Sequence, residues 1–194
     1  SFNTDWGVPV TIIGGEYPGS SAWRWLKIVL RGLHLCLWKN SSYPTTLVLE
    51  MGADHKGDIH RLVTIAPPAV AVVTAIAPVH LEHFGTIETI AREKLRLVQA
   101  LPKHGHAIVG GDVVRAWKVS EWTNAQIMTV GNNPEDSLWY SDMQYRASSS
   151  NQQSRGTSFK LHWKGSVIPC FLPDVVGEAA VLSACFAAAV GMVE

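Results

Sequence analysis

At 194 residues and 21.2 kDa the chain has room for one domain with a sizeable core, and one domain is expected rather than two full ones. Lys plus Arg (16) balance Asp plus Glu (16), so no global field favours nucleic acid or acidic partners. Three cysteines, Cys36, Cys170 and Cys185, are odd in number, far apart and without C-x-x-C spacing, as expected of reduced thiols in a cytoplasmic protein rather than a disulfide framework.

In chain order, VPVTII (residues 8–13) reads as a short strand, followed by the turn-rich GGEYPGSS. Residues 22–38 read as an amphipathic helix, because Arg24, Lys27, Arg31 and His34 fall at helical spacing beside a wide apolar face. A strand is expected at 46–50, a helix near 57–65, a strand at 70–76 and a helix over 87–101. Strands near 106–109 and 126–130 follow, with a helix around 113–121 between them. This alternation predicts an α/β domain with a mostly parallel sheet flanked by helices. The pattern then changes to short strands at 138–147, 158–163 and 166–171, separated by the polar SSSNQQSRG loop and by Lys164-Gly165, which predicts a small antiparallel hairpin element. An Ala-rich helix over 178–193 closes the chain, about a turn short of the roughly 20 residues that a membrane span needs. No secretory signal opens the sequence, and it starts at Ser1 without a methionine, so a piece of a longer polypeptide is expected.

Three apolar runs each end in a side chain that can hold a metal or a proton: TTLVLE at Glu50, AVAVVTAIAPVH at His80 and HAIVGGD at Asp112. Ligands of open α/β sheets bind beyond the carboxyl ends of the strands, so these three ends predict one site. Glu50 has the position of the Mg²⁺-binding acid of P-loop enzymes, or merely caps the next helix. A zinc site from His80 and His83 lacks a third nitrogen or sulfur ligand at a familiar spacing and is set aside. Taken alone, Lys94 in AREKLRLV is a solvated helix charge.

The motifs together carry a resemblance. SFNTDWGVPVTI, LVLEMGADHKGDI, PPAVAVVTAIAPVHLEHFGTIETIAREK, HAIVGGD and the final GEAAVLSACFAAAVG resemble the central domain of the Mur ligases, most closely the D-alanyl-D-alanine-adding MurF type, over nearly the whole chain. The resemblance implies a P-loop NTPase-like domain over 1–194, incomplete at its N-terminus, in an ATP-dependent amide ligase of peptidoglycan precursor synthesis. It implies Glu50, His80 and Lys94 as Mg²⁺ ligands, Lys94 as a carbamate formed with CO₂, and Lys94 and His80 as catalytic. It assigns Asn3, Thr4 and His55 to the substrate side, although Asn3 and Thr4 also read as a turn. Glu82 and His55 match positions that orient ligands, and Asp112 a strand-end acid with a supporting role. The implied partners are ATP, a UDP-MurNAc-peptide and a D-amino-acid dipeptide, with reaction through an acyl phosphate.

The sequence also departs from the family pattern. No G-x-x-x-x-G-K-[ST] occurs; that loop is expected to precede Ser1, and without it this piece is expected to be inactive and to bind ATP poorly. Ala75, Ala179-Ala180 and Ser183 stand where the family has polar residues, and Leu95 and Arg96 replace its Gly and Glu. Another ligase of the superfamily, such as a folylpolyglutamate synthase-like enzyme, and a degenerate non-catalytic scaffold therefore stay open. The helix at 22–38 reads as an insertion with two open occupants for its apolar face, an anionic membrane interface or a neighbouring domain or second copy. The packed neighbour is preferred, because wide apolar faces of soluble proteins usually mark contacts.

Overall fold

The computed structural model describes residues 3–38, 42–146 and 155–194. Most of the expected SSSNQQSRG loop, and Ser1 and Phe2 of the first motif, lie outside the described residues. Within them one six-stranded sheet runs in the order β1 (Val70–Val73), β2 (His106–Gly110), β3 (Gln126–Gly131), β4 (Leu138–Arg146), β5 (Gly156–Trp163) and β6 (Ser166–Pro173). The first four strands are parallel neighbours, and β4, β5 and β6 pair antiparallel. The α/β sheet and its antiparallel C-terminal part agree with the pattern in the sequence, but the hairpin extends the main sheet through β4 rather than standing apart from it.

Side-chain alternation divides the core into two layers. Ala71, Val73, Ala107 and Val109 point to one face, against Leu95 and Val98 of α5 (Ile87–Gln99) and Val113 of α6 (Gly111–Trp117). Ile108, Val130, Leu138 and Leu161 point to the other, against Val181, Cys185 and Phe186 of α7 (Glu178–Val193). Because residues on a strand alternate faces, runs that are apolar throughout mark strands covered on both sides. A third cluster joins Val8 of α1 (Gly7–Ile13) to Ile59, Leu62 and Val63 of α3 (Asp58–Ile65).

Two expected strands are absent. Residues 8–13 form α1, not a strand. Pro9 sits in the first helical turn, where a missing N–H costs nothing. Gly14, with φ of 71°, closes the helix and donates to the Thr11 and Val10 carbonyls. Burial of Val8 against α3 and of Val10 near Ile28 outweighs the β preference of this valine- and isoleucine-rich run. Residues 46–50 form no regular secondary structure and pair with no strand among the described residues, and Val48 is 89% exposed. The helix expected at 22–38 is present as α2 (Ala22–Leu37), started by Ser21, whose hydroxyl accepts from the Arg24 N–H, and seated on α1 through Ile28.

The three cysteines are free: Cys36 exposed, Cys170 half-buried and Cys185 buried. Burial pushes the Cys185 thiol from 9.0 up to about 12. Burial, then the hydrogen bond to Glu178, raises the Tyr140 phenol well above 10.0. Both acids hold their protons in the fold at pH values where the unfolded chain has lost them. Their stabilisation is complete below about pH 9 and is lost as the pH climbs toward about 12. Half-buried Lys94, lowered by burial, works in the opposite sense but is the weaker influence. The urea midpoint, measured in reductant, should fall as the pH is raised from about 8 to about 10.5; a midpoint constant over that range would contradict this.

Candidate functional site

The site begins with the irregular segment that ends at Glu50. Its carboxylate Oε1 accepts from Asn3 Nδ2 at 3.2 Å, and the Asn3 carbonyl accepts from the Gly52 N–H at 2.7 Å. The N-terminal segment thus holds the loop after Glu50 from both sides. That loop is closed by Asp58, in the first turn of α3. Its Oδ2 accepts from the N–H groups of Asp54 (2.9 Å) and His55 (2.7 Å). Arg61 bridges Asp58 and Asp5, the latter at 3.0 Å.

His80 is not a strand end. β1 stops at Val73, and the chain loops through Pro78 to His80, which precedes the short helix α4 (Leu81–Phe84) in the left-handed conformation, φ 54°. A histidine there is strained, and such strain concentrates at functional sites. It is held by the buried Phe84 and by its own carbonyl, which accepts from the His83 and Phe84 N–H groups at 3.0 and 3.1 Å. The half-exposed ring has Nε2 3.6 Å from Asp54 Oδ1 and Nδ1 3.9 Å from Glu82 Oε1.

Lys94 and Glu93 leave α5 on different sides. Lys94 Nζ donates to the Ala75 carbonyl at 3.1 Å, just past the end of β1, and burial lowers its pKa. The alanine at 75 does not affect this contact, which uses only backbone. Glu93 is 3% exposed, accepts from the Ile59 N–H that opens α3 at 2.9 Å, and pairs with Arg96 at 3.2 Å. The two departures after Lys94 are therefore structural: Leu95 is fully buried and Arg96 neutralises Glu93. Glu93→Ala orphans the Ile59 N–H and should cost about 1–3 kcal/mol of stability. Urea unfolding measures it; a loss within about 0.5 kcal/mol, the usual range of surface substitutions, would contradict this tether between α3 and α5.

These elements border one groove of about 1000 Å³ between residues 45–54 and the open edge of β1. Asn3, Glu50, Asp54, His80 and Lys94 all line it. A carboxylate, an imidazole and an amine of lowered basicity thus face one space, able to hold a cation and to exchange protons. Thr4 and His55 are not among its lining residues. Thr4 is exposed and its carbonyl accepts from the Val8 N–H, while His55 stacks on His83 with centroids 4.3 Å apart. The ligand atoms of His80, Glu82 and His83, all exposed, lie within 4.8 Å of one another, so Glu82 adds an oxygen donor to the two histidines.

Asp112 does not join the groove. It lies in the first turn of α6 with its side chain 98% exposed, paired with Arg115 Nη2 at 2.8 Å. The buried acid nearby is Asp136, held by Arg115 Nη1 at 3.0 Å. A Cβ on Gly111 would collide with the Asp136 carboxylate, and one on Gly110 with the Thr74 carbonyl, so this glycine pair is required by close packing. Sequence reasoning missed Asp54, Asp58, Glu93 and Asp136. The first two stand in the GADHKGD motif beside His55, the one signal that could have marked them.

The chain matches the Mur ligase middle domain over residues 31–191. It is 36% identical over 93 residues to the UDP-N-acetylmuramoyl-tripeptide--D-alanyl-D-alanine ligase of Mycobacterium tuberculosis, covering 48% of this chain and 18% of that protein. The Escherichia coli ligase of the same name is 29% identical over 150 residues, 75% of this chain and 31% of its own length. The crystal structure of MurF from Acinetobacter baumannii superposes with a TM-score of 0.63 at 25% identity, covering 84% of this chain and 34% of that one. The chain thus spans about a third or less of the length of these relatives. Matched across most of its residues, it belongs to the Mur ligase family, whose middle domain it forms.

Proposed function

We propose that this chain is the metal- and phosphate-handling domain of a longer, cytoplasmic, MurF-type ligase that joins a UDP-MurNAc-peptide to a D-amino-acid dipeptide at the expense of ATP. The observation that carries this reading is the convergence of Asn3, Glu50, His80 and Lys94 on one groove. The reaction is the transfer of the γ-phosphoryl group to the peptide carboxylate, with ADP leaving, and then attack of the dipeptide amine on the acyl phosphate, with phosphate leaving.

Glu50 and His80 fit Mg²⁺, because one hard oxygen and one imidazole leave room for the waters and phosphate oxygens that this ion retains. Asn3 keeps the Glu50 carboxylate turned toward the groove by its 3.2 Å hydrogen bond. As an ammonium Lys94 repels a cation. As a neutral amine it attacks CO₂, forming an N–C bond and releasing a proton, and the resulting carbamate offers anionic oxygens. Its lowered pKa enlarges the neutral fraction that this step needs. When bound, the metal ion would neutralise charge on the transferring phosphoryl oxygens.

One observation favours a second reading, the non-catalytic scaffold: the first turn of α7 carries Ala179-Ala180, and Glu178, which opens it, accepts from the Tyr140 hydroxyl at 2.6 Å. Phosphate release by the full-length protein separates the two. Release that requires ATP, UDP-MurNAc-tripeptide and D-alanyl-D-alanine together supports the MurF type. Turnover only with a different amino acid or peptide selects another ligase of the superfamily, and no turnover with any of them selects the scaffold.

A further inference from the structure

Helix α2 carries two apolar stripes, and the fold uses only one. Ile28 is buried against α1, and Trp25, Gly32 and Leu35 share that side half-buried. The other stripe, Trp23, Leu26, Val29, Leu30, Leu33 and Leu37, is 45–69% exposed and spans an arc of roughly 120° at 3.6 residues per turn. Lone exposed leucines need no explanation; a continuous row of six bulky apolar side chains along one helix does.

The charges beside the stripe identify what covers it. Around the helix the apolar arc is followed by His34, Lys27, Arg31 and Arg24, so one border is cationic, and α2 contains no acidic residue. Arg31 anchors that border by donating to the Ile13 carbonyl at 2.7 Å, and Lys27 lies over the Trp23 ring at 5.8 Å. The chain as a whole is electrically balanced, so this separation is local to α2. An apolar arc edged by cations, with tryptophans at both ends of the segment, matches a layer that is apolar below and anionic above. The helix is also too short to cross a bilayer, and no helix of the described residues can do so.

We propose that α2 lies in the plane of an anionic membrane surface, its outer stripe at the level of the acyl chains and Arg24 and Lys27 among the headgroup phosphates. Lipid supplies both halves of that complement at once, through burial of the stripe and attraction of its cationic border. This placement is independent of the ligase reading, because none of these residues lines the groove.

Co-sedimentation of the full-length protein with phosphatidylcholine vesicles, with and without phosphatidylglycerol, tests the proposal. Binding should require phosphatidylglycerol and weaken as salt screens the charges. It should drop more than about tenfold in the double variant Leu30→Glu with Leu33→Glu. Arg24→Glu with Lys27→Glu should remove the preference for anionic vesicles. Both double variants should keep the wild-type unfolding midpoint, since the altered side chains are solvent-exposed. No sedimentation with anionic vesicles, or binding that survives Leu30→Glu with Leu33→Glu, would overturn the proposal. A large loss of stability in that variant would also overturn it, by revealing a protein neighbour on the stripe.

Discussion

In the full-length protein, Lys94→Ala should lower substrate-dependent phosphate release by about 10³-fold or more, the scale of losing a preorganised charge at a phosphoryl-transfer site. Lys94→Arg should be equally inactive. Arginine keeps the positive charge and could still reach toward the Ala75 carbonyl, but it does not lose a proton in a protein and cannot become a carbamate. The pair of variants therefore separates two roles. If Lys94 acts as a cation on a phosphate, arginine retains much of the rate; if it acts as a carbamate, arginine retains almost none. Activity near wild type in Lys94→Arg would sink the carbamate assignment while leaving the family membership untouched. The folded state should tolerate both changes, because Lys94 is half exposed and Glu93, not Lys94, ties α5 to α3.

The largest effect on stability is expected at Leu138. It is fully buried in the layer that packs on α7, and it opens β4, the strand joining the parallel and antiparallel parts of the sheet. The parallel side of that junction is short, with only Val130 opposite Leu138 and Gly131 opposite Trp139. Leu138→Ala should cost about 2–5 kcal/mol from lost burial and the cavity left behind. For a domain of this size that lowers the melting temperature by roughly 5–15 °C. Thermal unfolding followed by circular dichroism measures it. A shift under about 2 °C would mean that the junction relaxes around the missing side chain and that β4 is held mainly by its long pairing with β5.

Much of the fold was legible because its signals are local. The strands at 70–73, 106–110 and 126–131 are mainly apolar and contribute residues to both core layers, and the charged stripe of α5 is periodic. The errors arose where a neighbour decides. Val8 to Ile13 has the composition of a strand, yet burial on α3 and the Gly14 turn make it helical. Residues 46–50 have a strand's pattern, but a strand also needs a partner, and none lies beside them among the described residues. Both lessons are tertiary, and no window of sequence contains them.

Of the residues expected at one site, Asn3, Glu50, His80 and Lys94 line a common groove, whereas Thr4, His55 and Asp112 do not. Glu50 and His80 do face one groove, though neither ends a strand, and Asp112 is a solvent-facing partner of Arg115. Periodicity could not distinguish Lys94 from the solvated charges of α5; only the motif resemblance singled it out, and the structure shows why the position differs. It is the α5 charge that reaches past the end of β1, where burial lowers its pKa. The acids that hold the site and its surroundings together, Asp58, Glu93 and Asp136, each pair with an arginine, and Asp58 and Glu93 also accept from backbone N–H groups; the i,i+3 spacing of Asp58 with Arg61 and of Glu93 with Arg96 is equally that of an ordinary surface ion pair, so it did not mark them.

The most direct measurement is nuclear magnetic resonance of the full-length protein in isotope-labelled bicarbonate with Mg²⁺. The account predicts one carbamate carbon signal in the wild type, absent in Lys94→Ala and weakened in Glu50→Ala and His80→Ala, because a metal ion shared by all three side chains would hold the modification in place. A wild-type protein without that signal, or a signal that persists in Lys94→Ala, would contradict it.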